Sequence, residues 1–221
     1  LHPRVRRQRQ MCIRDRSLVV MCTSLYAMSA SILSEDSNTF TEVQILRAQE
    51  KIELQVDKIR LETLALSREQ RVRNFFKGEL GTDELNRFLT DTMEAMNRES
   101  ESYYYKDLFC LGMDGVIISS TMPNAMYVDL SSRKYVQDSF KKSTTETSDI
   151  LIALTDQASI VNTTHPIFDE NGQMLGLFGI AIRAEKFVGF IKNYAIGESG
   201  YFSIVDSNGL IPVSYTHLRA H

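Results

Sequence analysis

Along residues 37–76 the apolar positions recur at helical spacing. Ile45, Ile52, Ile59 and Leu66 fall seven apart, Val56 stands four after Ile52, and Leu54 and Leu61 form a second seven-spaced row. Glu42, Glu50, Lys51, Glu53, Lys58 and Arg60 occupy other faces, and neither Gly nor Pro interrupts. The pattern predicts one long helix over 37–76. A seven-residue repeat suits a stalk that packs in a bundle or dimer; an ordinary amphipathic helix lying on its own domain produces the same row, and the two faces allow both. Lys77-Gly-Glu-Leu-Gly81 ends the helix. Thr82 is placed to cap a second one, with Asp83 and Glu84 at its positive end and Leu85, Phe88, Leu89, Met93 and Met96 as its inner face.

After Glu99 the period shortens. Residues 103–120 alternate around Met113-Asp114-Gly115 and predict a hairpin, because an Asp-Gly pair supplies a positive φ at little steric cost. Residues 121–134, with Pro123 and Asn124, read as a loop, and 135–142 as a short helix. Further strands are expected at 151–154, 160–168 and 174–182, the last two joined through Asn171-Gly172. Two helices followed by an antiparallel sheet of about five strands, crossed on one face by a loop and helix, make an α+β, PAS-like layout.

From Ser17 to Ser34 no residue is charged. Eighteen residues sit at the lower limit for spanning ~30 Å of hydrocarbon, and five Ser and one Thr among them weaken the pattern. The segment is read as a transmembrane helix or signal anchor. Residues 1–16 carry six Arg and one Asp; with 214–221 they show neither periodicity nor a cap and resemble translated sequencing adapters. Both ends are read as non-native, the alternative at the N-terminus being a basic cytoplasmic arm. Without them 18 Lys+Arg face 27 Asp+Glu, a net of −9. So acidic a body argues against a nucleic-acid partner.

Cys12, Cys22 and Cys110 form no CxxC pair, and Cys110 reads as a small apolar strand residue. His165 is the one histidine between the two terminal segments, and no phosphate loop or nucleophile–base set accompanies it. Asp114, Asp169 and Asp206 read as turn formers. No enzymatic activity, cofactor or metal is expected.

The long helix, the Asp-Gly hairpin, Val128-Asp-Leu-Ser-Ser-Arg-Lys-Tyr135, His165-Pro-Ile-Phe-Asp-Glu-Asn-Gly172, Leu175-Gly-Leu-Phe-Gly-Ile-Ala-Ile182 and Gly200-Tyr-Phe-Ser-Ile-Val-Asp-Ser-Asn-Gly209 together resemble the double Cache domain. That family is the extracytoplasmic sensor of chemoreceptors, sensor histidine kinases and cyclic-dinucleotide enzymes. The resemblance implies a stalk helix at 37–76, a membrane-distal module at 77–186 and the first strand of a membrane-proximal module at 187–213. It implies a small-molecule sensor of a chemotaxis receptor, dimeric through the long helix, anchored in the inner membrane with the sensor outside the cytoplasm. A histidine kinase or diguanylate cyclase sensor, or a stalk that binds nothing, is the alternative.

The family's distal pocket lies between the sheet and the loop–helix segment. Arg133 and Tyr135 match its positions, the first as a two-pronged donor for a carboxylate and the second as an aromatic wall. Tyr127 and Asp129 precede them on the loop, and Asn162 and Thr164 approach from the neighbouring strand. The competing roles are an Arg133–Asp129 salt bridge and a core position for Tyr127. Members that bind amino acids carry two adjacent aromatics, where Tyr135 is followed by Val136, and an Asp near the place of Ala181. An α-amino acid is therefore disfavoured as the ligand, and a small carboxylate or another small metabolite remains.

Overall fold

The computed structural model describes residues 3–100 and 104–186, with side chains at 20–34, 38–100 and 104–186. The expectations for 187–213 and 214–221 lie outside the described residues. The chain divides into two compact units after Arg47.

The described residues of the first unit are helical and belong to α1, Pro3–Ser67. Val20, Met21, Leu25, Tyr26, Ile32 and Leu33 are all exposed within it. No helix among the described residues is long and apolar enough to cross a membrane. The Thr23 and Ser24 hydroxyls donate to the carbonyls of Val20 and Met21, at 3.0 and 2.9 Å.

In the second unit the predicted 37–76 helix is two. α1 ends at Ser67 and α2 begins at Gln70, ending at Phe76. Glu69 adopts an extended ψ of 135° at the junction, and the break lets Val72 bury completely. The Ile52, Val56, Ile59 and Leu66 row packs on the unit's own core. The Leu54 and Leu61 row is exposed. α3 spans Thr82–Glu99 with Gly81, not Thr82, at the N-cap. Leu85 and Leu89 are fully buried, and Phe88, Met93 and Met96 pack beside them.

The sheet comprises β1 (Tyr105–Leu111), β2 (Ile117–Ser120), β3 (Glu146–Thr147), β4 (Leu151–Ile152), β5 (Ser159–Phe168) and β6 (Met174–Arg183). Its order is β2-β1-β6-β5-β3, with β4 also on β5, and every pairing is antiparallel. The Asp114-Gly115 and Asn171-Gly172 turns form as read, with φ of 81° at Gly115 and 78° at Gly172. Between β2 and β3 run a short 3-10 turn, Pro123–Ala125, and α4, Lys134–Lys142. The two-residue β3 was not expected.

The strand alternation gives each face its own partner. Leu108, Cys110, Phe178, Ile180 and Ile182 face the helices, with Ile59, Val72, Leu85 and Leu89. Phe109, Leu111, Leu177 and Ala181 face the loop and α4, with Ala125, Leu130, Tyr135 and Val136. The Gly176-Leu-Phe-Gly179 stretch serves both faces. A Cβ at Gly176 would strike the Leu111 carbonyl and the Phe76 ring, and one at Gly179 would strike the Phe109 ring.

Candidate ligand-binding site

The site begins with an irregularity in β1. Tyr105 pairs with Ile182 and Asp107 with Ala181, so Lys106 is an extra residue in the ladder. Such a bulge breaks the alternation and re-aims the side chains beside it. Tyr105 joins the helix-face core, whereas both Lys106 and Asp107 line a cavity on the α4 face. The bulge is held from two helices. The Asn97 side chain on α3 hydrogen-bonds both the N–H and the carbonyl of Tyr105, at 2.8 and 3.0 Å. The Tyr105 hydroxyl donates to Glu62 Oε2 on α1 at 2.6 Å.

The cavity has a volume of about 50 Å³. Phe109, Ile117 and Ala181 line its sheet side, Met122, Ala125, Val128 and Leu130 its loop side, and Ala153, Leu154 and Thr155 its far end. Three buried polar side chains, Lys106, Asp107 and Asn162, open onto it. Mostly apolar walls with a few convergent polar groups are the usual constitution of a ligand pocket.

Each polar group has a distinct state. Lys106 Nζ pairs with Asp156 Oδ1, its own side chain only 4% exposed. Hydrogen bonding to Lys106 holds the Asp156 carboxyl below the ordinary range. Asp107 accepts from the Ser120 hydroxyl and from both the N–H and hydroxyl of Thr121, at 2.7–3.1 Å. These bonds pin the turn that carries Met122 and Ala125 over the cavity. Burial outweighs them and pushes the Asp107 pKa up to about 6. Asn162 Nδ2 donates to Tyr135 Oη at 2.8 Å, and Asn162 Oδ1 is buried with no hydrogen bond. Burial raises the Tyr135 phenol to about 12.

A second, polar groove of about 280 Å³ lies on the other side of Tyr135. Arg133, Tyr135, Asp138, Glu146, Ser148 and Leu151 are among its lining residues. The six residues expected at the site therefore separate. Arg133 and Tyr135 line the outer groove and Asn162 the inner cavity. Thr164 does neither; its hydroxyl meets Ser139 Oγ at 2.8 Å and ties α4 to β5. Tyr127 is 77% exposed, which removes it from both pocket and core. Asp129 is exposed, and hydrogen bonding from Ser131, through its side chain first and its N–H second, lowers its carboxyl pKa. Among the described residues Asp129 makes no ion pair with Arg133. His165 stands apart, its Nδ1 2.7 Å from the Thr145 hydroxyl.

Lys106 and Asp107 escaped the sequence reading. Two adjacent charged residues in an otherwise apolar strand were the available signal, since regular alternation cannot bury both on one face.

Among the described residues no three His, Cys, Asp or Glu side chains gather to hold a metal ion. No family model and no curated protein sequence matches the chain. Solved structures do. The sensory domain of the Campylobacter jejuni chemoreceptor Tlp3 is 13% identical over 82% of this chain and 72% of its own, with a TM-score of 0.63. The ligand-binding domain of the Pseudomonas aeruginosa amino acid chemoreceptor PctC, solved with GABA, is 14% identical over 81% of this chain and 76% of its own, TM-score 0.58. The V. cholerae histidine kinase DctB sensor domain is 14% identical over 70% of this chain, which spans 59% of that domain, TM-score 0.56.

The fold is that of the Cache-type sensor domains.

Within that fold, the reading that disfavours an amino acid is not supported. It rested on Val136, where such members carry a second aromatic after Tyr135, and on Ala181, where they carry an Asp. In the structure Ala181 stands in register between Asp107 on β1 and Asn162 on β5. Directly opposed residues share a sheet face, so a carboxylate and an amide oxygen flank the apolar position that seemed to lack them.

Proposed function

We propose that this chain is the extracytoplasmic sensing region of a transmembrane signalling receptor, most simply a chemotaxis receptor, and that it binds a small molecule between the sheet and the α4 segment. The observation that carries the reading is the inner cavity, with buried Lys106, Asp107 and Asn162 beneath a loop, on a fold shared with ligand-binding domains. Chemoreceptor domains of this fold have been solved with L-valine, GABA and L-serine, so amino acids belong in the ligand panel. Arg133 and Tyr135 guard the outer groove, and a ligand larger than a few atoms enters by displacing the loop or α4. The exposed Leu54 and Leu61 row is the face by which two copies pair.

A histidine kinase sensor is the second reading, favoured by the DctB likeness. Thermal shift of the full chain against a metabolite panel tests the common core of both. A ligand that binds only the folded state stabilises it by about 2.7 kcal/mol at one hundred times its Kd. No shift with any compound favours a stalk that binds nothing. Fusing the sensor to kinase and to chemoreceptor signalling modules, then assaying each for ligand response, separates the two outputs.

A further inference from the structure

We propose that the turn joining β4 to β5 is a gate at the far end of the inner cavity, latched by the Lys106–Asp156 ion pair. This rests on the reading of that cavity as the ligand site. Ala153, Leu154 and Thr155 of the turn line the cavity's far end. Lys106 lines both the cavity and a polar groove of about 470 Å³, which it shares with Asn97, Arg98, Tyr105 and Arg183. Among the described residues it is the one that borders both. The lysine side chain is therefore the partition between the two spaces, and Asp156 holds it in place.

The turn itself is weakly held. β4 pairs with β5 through Leu151–Ile160 and Ile152–Ser159. Two backbone bonds close the turn, from the Ala153 N–H to the Ala158 carbonyl at 2.9 Å and from the Gln157 N–H to the Ala153 carbonyl at 3.1 Å. Ile152 and Leu154 are exposed, so the turn buries little apolar surface to anchor itself. Gln157 stands at φ 59°, a left-handed conformation that a residue with a Cβ keeps only under constraint. Asp156 supplies that constraint: its Oδ1 accepts the Ala158 N–H at 3.2 Å and also meets Lys106 Nζ. Opening strands neither charge. Asp156 is already 42% exposed, and the flexible lysine stem swings its ammonium toward the polar groove. The loop side of the cavity is pinned by contrast, through the bonds that Ser120 and Thr121 give Asp107. Local opening starts where few buried contacts resist it, and here that is the turn. The gate passes groups of a few atoms without moving the loop or α4.

The test uses the full chain with Cys12→Ser and Cys22→Ser, and Ala181→Cys to place a thiol on the cavity floor. Cys110, fully buried on the opposite face of the sheet, reports global unfolding in the same molecule. Labelling of both thiols by methyl methanethiosulfonate is followed by peptide mass spectrometry. The introduced thiol reacts ahead of Cys110, and Lys106→Met raises the ratio of the two rates about ten- to a hundred-fold. Asp156→Asn does the same, and because the ratio is taken within one molecule, any global destabilisation cancels. A ratio unmoved by Lys106→Met overturns the gate. So does an equal rise in Ser120→Ala, which loosens the loop side and would make the loop the way in. Hydrogen exchange without Ala181→Cys gives an independent reading, which decides alone where that variant fails to fold. The Ala153 and Gln157 amides exchange faster than the β5–β6 ladder, and Lys106→Met speeds them further. Exchange of these amides at the rate of the ladder overturns the inference. Neither measurement needs a ligand, so a failed gate leaves the sensing function standing, whereas a silent metabolite panel sinks the sensing function alone.

Discussion

Tyr135 Oη accepts a hydrogen bond from Asn162 Nδ2 at 2.8 Å, and through it a residue of the outer groove holds a residue of the inner cavity. Both partners are buried. The bond orients the Asn162 amide, setting Nδ2 toward the phenol and Oδ1 free of any hydrogen bond.

Tyr135→Phe keeps the ring and deletes the acceptor. It should destabilise the chain by about 1–2 kcal/mol, because a buried amide N–H loses its partner. Tyr135→Phe combined with Asn162→Leu should cost less than the sum of the single changes, by about 0.5–1 kcal/mol. Urea unfolding of the four proteins measures the coupling; strictly additive costs would remove this bond from the account.

The Lys106–Asp156 pair is lopsided, with the lysine side chain 4% exposed and the aspartate 42%. Removing the buried charge leaves a partner that water can solvate, so Lys106→Met should change stability by less than about 1 kcal/mol. Asp156→Ala strands an ammonium inside and should cost on the order of 2–3 kcal/mol. Denaturant midpoints of the two variants decide it, and equal costs would mean that Lys106 reaches water.

Asp107 ties stability to pH. Its pKa is about 6 in the folded chain and about 3.9 in an unfolded one. Between these values the native state binds more protons than the unfolded state, so stability from this group falls as pH rises from 4 to 6 and is level above about 7. The full difference is on the order of 3 kcal/mol. Unfolding free energies at pH 5 and pH 7.5 should therefore diverge more in the wild type than in Asp107→Asn. Parallel pH profiles for the two would show that the carboxylate is not buried.

Gly176 faces a carbonyl that cannot move away. Gly176→Ala drives a methyl into the Leu111 backbone oxygen and the Phe76 ring, and should cost more than the 1–3 kcal/mol typical of overpacking. Gly179→Ala meets only the Phe109 ring and should stay within that range. Melting temperatures rank the pair; the reverse order would mean that the β1–β6 ladder yields more readily than the ring.

What was legible in the sequence was what short-range chemistry dictates. Asp114-Gly115 and Asn171-Gly172 need positive φ and announce their turns, and the alternation of Leu175 to Ile182 announces β6. The break at Arg68–Glu69 carries no Gly or Pro and no cap that could announce it; it follows from the burial of Val72 against distant residues. β3 is two residues long and exists because β5 extends far enough to pair it. The resemblance pointed to Arg133, Tyr135 and Asn162, of which the first two line the outer groove and the third the inner cavity. Lys106 and Asp107 depend on a ladder irregularity opposite Ile182 and Ala181, more than seventy positions away. Tyr127 and Thr164 illustrate the other limit: sequence proximity to a pocket does not fix where a side chain points.

One rim of the sheet is covered, and the other carries only short strands. Beyond β2 the loop supplies its own bonds, Ile117 N–H to the Val128 carbonyl and Tyr127 N–H to the Ile117 carbonyl, at 3.0 and 2.9 Å. Asn86 on α3 accepts the Ser120 N–H. At the opposite rim β3 and β4 are two residues each. An edge so short or so covered gives a foreign strand no ladder to join. Edges of this kind resist the addition of sheet to sheet, which lowers the risk of fibrous aggregation at high local concentration. Such domains can crowd together and stay ordered without sticking to one another through their backbones.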